Sequence, residues 1–312
     1  MKKKCAIGVD VGGSHVSSAA FDINSKKIIE NSLSECDLDN QGTGKEIIKI
    51  WGTTIGKFMK SVDPQTVAGV GFAMPGPFDY ENGIPLFTGA NNKYEHIYGL
   101  NVPHELHKFW GLPVDFPIRF INDATAFAIG ENWVGKTCGA KRSLAITLGT
   151  GFGSAFLKNS LPVVIGNEVP KNGCVWHLPF EKGIADDYFS TRGLIERYYT
   201  LTGIRVDGAK EIADIAGSSI VASELFIDFG KKLIVLLEPW LKKFGVEVIV
   251  IGGNISRASD LFLPVMKSTL EKKNMNIRVE ISELKESASI IGSARLAEPE
   301  FWNKVSPLLK EM

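Results

Sequence analysis

Ile7-Gly8-Val9-Asp10-Val11-Gly12-Gly13-Ser14 and Ala145-Ile146-Thr147-Leu148-Gly149-Thr150-Gly151-Phe152-Gly153-Ser154 lie about 140 residues apart and decide the reading of the fold. Each glycine turn separates an apolar run from a second extended run, 16–21 in the first case and 155–157 in the second. Each therefore reads as a tight β-hairpin whose backbone admits a ligand at close range. One such turn is weak evidence. Two at equivalent places in successive halves point to a duplicated fold that grips a phosphate chain, because only glycine leaves N–H groups bare enough to cradle phosphate oxygens. The chemistry implied is phosphoryl transfer.

Composition narrows the alternatives. The chain has 312 residues, of which 44% are hydrophobic and 22% charged, enough for two domains with substantial cores. Basic and acidic residues balance at 35 each, so the general electrostatic footprint of a nucleic-acid binder is missing and none is expected as a partner. Lys2-Lys3-Lys4 reads as a solvated start to the first strand. The apolar stretch 5–9 is too short for a signal-peptide core, and no other run approaches membrane-spanning length; the expectation is a soluble, cytoplasmic protein. Cys5, Cys36, Cys138 and Cys174 show neither metal nor redox spacing and read as reduced thiols.

Between and beyond the hairpins, strands and helices alternate. Ile47, Ile50, Trp51, Ile55, Phe58 and Met59 predict a helix over 46–62, followed by a buried strand over 67–72 that ends in the breakers Pro75-Gly76-Pro77. A helix over 102–110, a strand over 117–121 stopping at Asn122-Asp123, and a helix over 124–133 complete the first half. In the second, an amphipathic helix spans 218–244, an apolar strand 246–251, and Gly252-Gly253-Asn254 turns into a helix around 261–272. This is α/β order, repeated. The boundary is expected within 121–140, giving a smaller α/β domain over 1–122 with a C-terminal helix at about 296–312, and a larger one over 123–295. A helix over 287–297 is free to pack back on the first half, and no low-complexity linker separates the two.

Asp10-Val11-Gly12-Gly13-Ser14, Gly71-Phe72-Ala73-Met74-Pro75-Gly76-Pro77, Asn122-Asp123-Ala124, Leu148-Gly149-Thr150-Gly151-Phe152-Gly153 and Ile249-Val250-Ile251-Gly252-Gly253 resemble, in this order, the motifs of ROK-family sugar kinases. The resemblance extends to Ile290-Ile291-Gly292-Ser293-Ala294 and covers nearly the whole chain. It implies a duplicated actin/hexokinase-like (ribonuclease H-like) two-domain fold with a central cleft, ATP and Mg²⁺ as cofactors, a hexose or amino sugar as acceptor, and a homo-oligomer, a dimer. Repressors of the family carry a DNA-binding segment before the first glycine hairpin. Here that hairpin starts within the first ten residues, so a repressor would lack its reading head.

The residue chemistry can be weighed beside the resemblance. A sugar hydroxyl must lose a proton as it attacks the γ-phosphate, which calls for a carboxylate at the hydroxyl and donors around the phosphates. Asp123 is the candidate base; its plainer role is a helix N-cap. Asn122 resembles the family residue that hydrogen-bonds the sugar, with turn formation as its alternative, and Gly76 belongs to a motif on the sugar side. Asp10 is expected to act through water on Mg²⁺, an ion that keeps its waters and recruits few carboxylates, or else to form an Asx-type turn. Gly12, Gly13 and Ser14 would face one part of the phosphate chain and Gly149, Thr150 and Gly151 another. Gly252 and Gly253 resemble the nucleotide-side turn, although glycine after a buried strand often makes only a tight connection.

The sugar pocket departs from the family pattern of Glu-x-Gly-His, a cysteine-rich zinc loop, and a further Glu before Tyr-x-Ser. Cys174-Val175-Trp176-His177 aligns with the first element and Asp186-Asp187-Tyr188-Phe189-Ser190 with the last. The first carboxylate is Cys174, and Trp176 stands where the family has glycine, narrowing the pocket or offering a stacking face. Few residues separate His177 from Gly183 and none is cysteine, so no structural zinc is expected. His177 is a sugar contact or a hydrogen-bonded core residue. Asp186, or its rival Asp187, replaces the second Glu, and Glu168 is a further substitute for the missing carboxylate. Two other functions stay open at this stage: a polyphosphate-dependent sugar kinase, and a non-catalytic sugar-binding regulator.

Overall fold

Strand and helix alternate as the sequence requires in a computed structural model that describes residues 5–63, 66–89 and 93–312. Lys2-Lys3-Lys4 lies outside the described residues. The chain divides into two compact units, Met1–Val134 with Glu286–Met312, and Gly135–Lys285.

In the first unit, β1 (Cys5–Val11) and β2 (His15–Asp22) form the first glycine hairpin, in register from Cys5 opposite Asp22 to Val11 opposite Val16. β3 (Lys27–Ile28) and β4 (Ser34–Asp37) pair with β2. The helix α1 (Gly44–Met59) starts at a capping box in which Thr43 and Glu46 satisfy each other's backbone N–H groups, and it buries Ile47, Trp51 and Ile55. β5 (Val67–Met74) is buried at every position and lies between β1 and β8 (Ile118–Asn122), both parallel to it, as a central strand of a sheet covered on its faces does. The short strands β6 (Phe78–Asp79) and β7 (Ile84–Pro85) form a separate ribbon, and α2 (Val102–Trp110) begins at the Asn101 cap and ends at Gly111. The sheet order is β3-β2-β1-β5-β8.

The second unit repeats this plan. β9 (Arg142–Leu148) and β10 (Phe152–Lys158) form the second glycine hairpin, β11 (Leu161–Pro162) extends it, and β14 (Val248–Gly252) and β15 (Arg278–Ile281) add in parallel, giving the order β11-β10-β9-β14-β15. Between β11 and β14 come the ribbon β12 (Pro179–Phe180) and β13 (Gly183–Ile184), then α4 (Asp186–Phe189), α5 (Thr191–Thr202), α6 (Ala209–Asp214) and α7 (Ile220–Phe244). α7 is capped by Ser219 and closed by Gly245, and with α8 (Ser259–Lys272) it buries an apolar stripe that includes Phe226, Phe229, Leu233, Phe262 and Met266. Hairpin, parallel strand, parallel strand thus occurs in each sheet.

The first unit extends past the expected edges at 122 and 296, for a packing reason. α3 (Asp123–Val134) is buried nearly all round and packs on α9 (Ser287–Ala294), which also lies on β1 and β5. The strands admit α9 only where they lack side chains: a Cβ on Gly71 would stand 1.8 Å from the Ser293 carbonyl oxygen. Ser293 Oγ in turn accepts the Val9 N–H at 3.1 Å, bonding α9 to the strand that carries Asp10. α10 (Pro299–Val305) follows, starting at proline where a helix has no N–H to lose.

Candidate active site

The start of α3 shows which side chain caps the helix. Asn122 Oδ1 accepts the Thr125 N–H at 3.1 Å, so Asn122 is the residue that caps the helix. Its Nδ2 donates to Asp123 Oδ1 at 2.9 Å and to the Tyr80 hydroxyl at 3.3 Å, and Tyr80 itself donates to the Met74 carbonyl at 3.1 Å. Asn122 therefore orients Asp123. Asp123 Oδ1 also accepts the Ala124 N–H at 2.8 Å, so both bonds fall on one oxygen. Burial pushes its carboxyl above the usual carboxylate range, opposed by the Ala124 bond, the positive charge of Lys93 and the Asn122 bond.

Asp10, near the end of β1, is pushed up to about 7, first by burial and then by the negative charges of Asp123 and Glu286. A carboxyl raised in the folded state binds its proton more tightly there than in the unfolded chain. Its favourable contribution to folding is complete below the ordinary value near 3.8 and is lost as pH rises through about 7. Without nucleotide or divalent cation, the thermal midpoint is therefore expected to fall as pH rises from 5.5 to 8 more steeply than it does in Asp10→Asn, measured by calorimetry. Parallel profiles for the two proteins would show that Asp10 is not held in this environment.

The first hairpin is tied from outside. Tyr94, fully buried, donates its hydroxyl to the Gly12 carbonyl, and Asn40 donates to that of Gly13. Gly12 spends its own N–H on His15 O at 3.0 Å, while Gly13 and Ser14 are exposed. In the second hairpin Gly149 donates to Gly151 O at 3.1 Å, and its carbonyl accepts both the N–H and the hydroxyl of Thr191, at 2.8 and 2.9 Å. Thr150 and Gly151 are exposed. Gly252 ends β14 paired with Thr147, and Gly253 takes φ +82° with no room for a side chain: a Cβ would meet the Leu148 carbonyl oxygen at 2.4 Å. Gly253 thus has a packing reason to be glycine whatever it binds.

The altered segment occupies the second unit. Asp186 Oδ1 accepts the Phe152 N–H at 2.7 Å and Oδ2 accepts from Arg192 at 2.7 Å, so this carboxylate braces the second glycine hairpin. Asp187 accepts the Ile184 N–H at 3.0 Å, and Glu168 is paired with Arg142 and Lys158 at 3.1 and 2.9 Å. His177 Nδ1 lies 3.7 Å from Cys174 Sγ, and its ring meets Trp176 edge-on at 5.5 Å. Burial, with the charge of Lys171, lowers the His177 value and favours the neutral imidazole; burial pushes the Cys174 thiol up to about 11, so it supplies no anion at neutral pH. Trp176 is 47% exposed, available as a stacking face. β12 and β13 fill the short span after His177. Gly76 sits in the exposed turn after β5.

Tyr80, Lys93, Tyr94, Glu286, Thr191 and Arg192 had no place in the sequence reading. Thr191 and Arg192 stand in the first turn of α5, a helix that the sequence reading did not mark, and Tyr80, Lys93 and Tyr94 lie in loops without periodicity. Among the described residues no three His, Cys, Asp or Glu side chains gather to hold a metal, and no helix is long and apolar enough to cross a membrane.

Comparison with known proteins matches the ROK family profile to residues 6–300. The chain is 28% identical to a glucokinase of Thermotoga maritima, over 95% of this chain and 98% of the relative. It is 24% identical to an N-acetyl-D-glucosamine kinase of Haemophilus influenzae, over 84% and 88%. Its fold resembles that of a ROK family glucokinase from Streptomyces griseus solved with glucose and AMPPNP, at a TM-score of 0.72, 21% identity, and coverage of 94% and 98%.

Proposed function

Because this chain belongs to the ROK family, we propose that it is a sugar kinase that transfers the terminal phosphoryl group of ATP to a hydroxyl of a hexose or amino sugar, with Asp123 as general base. The observation that carries the assignment is the division of labour at α3. Asn122 takes the cap on the Thr125 N–H while Asp123 accepts the Ala124 N–H through Oδ1 alone, and burial raises the Asp123 carboxyl towards the range where a base accepts a proton efficiently. The acceptor O–H gives its proton to Asp123 as the new O–P bond forms; the bond from the γ-phosphorus to the β–γ bridging oxygen breaks, and ADP leaves. Glucokinase and N-acetylglucosamine kinase relatives support the acceptor class.

Asp10 fits a hydrated divalent cation: its carboxyl is raised by burial and by two neighbouring carboxylates, an excess of negative potential that a cation relieves. Mg²⁺ held there would neutralise charge on the donor phosphates. The exposed N–H groups at Gly13 and Ser14, and at Thr150 and Gly151, are the proposed phosphate donors of their respective hairpins, and the Trp176 face with neutral His177 is the proposed sugar contact. A panel of hexoses and amino sugars with ATP and Mg²⁺ tests the reading; sugars that bind without any phosphorylated product would make the protein a sugar-binding regulator.

The two candidate roles of Asp186 separate kinetically. Asp186→Ala removes the brace on the Phe152 N–H and leaves that donor unpaired, so KM for ATP is expected to rise roughly tenfold while KM for the sugar changes little. A rise confined to the sugar KM would return Asp186 to the sugar pocket.

A further inference from the structure

Tyr80 is buried in the turn between β6 and β7, outside the two motifs, 71–77 and 122–124, that its side chain joins. Asp79 fastens that turn: its Oδ1 accepts the N–H groups of Glu81 and Asn82 at 3.1 and 3.0 Å, and its carbonyl accepts the Gly83 N–H at 2.8 Å. The Tyr80 ring packs on Phe78 at 5.3 Å between centroids, and Phe78 packs on Phe120 of β8 at 5.2 Å. The phenol so held reaches the end of the sheet, where Met74 of β5 and Asn122 of β8 are the last pair in register.

Hydrogen-bond polarity leaves its hydroxyl one arrangement. A phenol has a single proton, and the Met74 carbonyl, 3.1 Å away, can only accept it. The lone pairs of the phenol oxygen then face Asn122 Nδ2 at 3.3 Å, which can only donate. The second Nδ2 proton goes to Asp123 Oδ1 at 2.9 Å, and Asn122 Oδ1 faces the Thr125 N–H and hydroxyl at 3.1 and 3.3 Å. A flipped amide would set its oxygen against the Asp123 carboxylate and its NH₂ against the Thr125 N–H. Each bond in the chain from Met74 to Asp123 thus fixes the direction of the next.

We propose that Tyr80 is a positioning residue for the proton transfer: anchored on the Met74 carbonyl, its hydroxyl locks the Asn122 amide onto Asp123 Oδ1 and leaves Oδ2 for the acceptor hydroxyl. The inference rests on the kinase reading above. Tyr80 acts through Asn122 alone; the proton still passes from the acceptor oxygen to Asp123, and the phenol neither gains nor loses one.

Tyr80→Phe keeps the ring and removes the hydroxyl. On the best sugar it is expected to lower kcat about tenfold with KM for sugar and ATP within a few-fold of wild type, because a displaced base loses alignment and not binding. A double-mutant cycle separates this from a general weakening of the fold. In the Asp123→Asn background no base is left to align, so the same change is expected to lower the residual kcat by less than about twofold, whereas a weakened fold would lower it about tenfold again. The second measurement needs no turnover. In ¹H–¹⁵N spectra the two side-chain amide protons of Asn122, assigned by their absence from Asn122→Ser, are expected to exchange slowly with water in wild type and at least about tenfold faster in Tyr80→Phe. Undiminished kcat in Tyr80→Phe, additive losses in the cycle, or fast exchange in wild type would overturn the proposal. A wild type with the protected amide that phosphorylates no sugar in the panel overturns the kinase reading instead, and confines Tyr80 to securing the start of α3.

Discussion

Asp123→Asn is expected to lower kcat by about a hundredfold or more and to leave sugar affinity and thermal midpoint close to wild type. The amide is nearly isosteric and its oxygen still accepts the Ala124 N–H, while Asn122 keeps the cap on Thr125, so the start of α3 stays folded. What is lost is the capacity to take the hydroxyl proton. The variant also removes a buried negative charge that raises Asp10, so the pH dependence of stability attributed to Asp10 should shift down in the same protein. A steady-state assay on the best sugar, paired with calorimetry across pH, measures both effects. Turnover within a few-fold of wild type would remove Asp123 from the base role, and an unchanged stability profile would show that the two carboxylates do not interact.

Sequence alone made the parts of this site legible where backbone conformation forces residue type. The glycine turns, the strand-to-helix switch at Asn122-Asp123 and the long amphipathic α7 each carry a local signal, and each stands close to where it was read. Contacts across long sequence separations were not legible. Asp186 was read from its motif position as a sugar ligand; that its oxygen also accepts an N–H 34 residues away is set by sheet and loop geometry and not by residue type. Asn122 and Asp123 were each given two roles; only the register of the side-chain oxygens assigns the cap to Asn122. α5 and α6 escaped because they bury few residues, and β15 because it is four residues long. Lys93 and Tyr94 lie in a loop whose order comes from Asn40 and Gly12.

Gly71 belongs to a motif that the sequence assigns to the sugar side, yet its geometry gives it a second task, and Gly71→Ala is expected to be among the most destabilising single changes in the first unit. Its Cβ would stand 1.8 Å from the Ser293 carbonyl oxygen and 2.6 Å from the carbonyl carbon, both backbone atoms of α9 that no rotamer change can move. Helix and strand must separate by more than an ångström, and overpacking of this kind costs about 3 kcal/mol or more, a drop in thermal midpoint of roughly 5 °C or greater. The displacement reaches the chemistry. Ser293 Oγ bonds the Val9 N–H at 3.1 Å, and Asp10 is the next residue, so pulling α9 away releases the strand that carries the proposed cation ligand. Activity should therefore fall along with stability, and kcat should suffer more than the affinity for sugar. Gly217→Ala is the control, since nothing lies within 4 Å of the Cβ it adds and its turn is remote in sequence from every group invoked here. If Gly71→Ala melts within a degree or two of Gly217→Ala, α9 does not approach β5 this closely, and the bond between Ser293 and Val9 cannot be what seats Asp10.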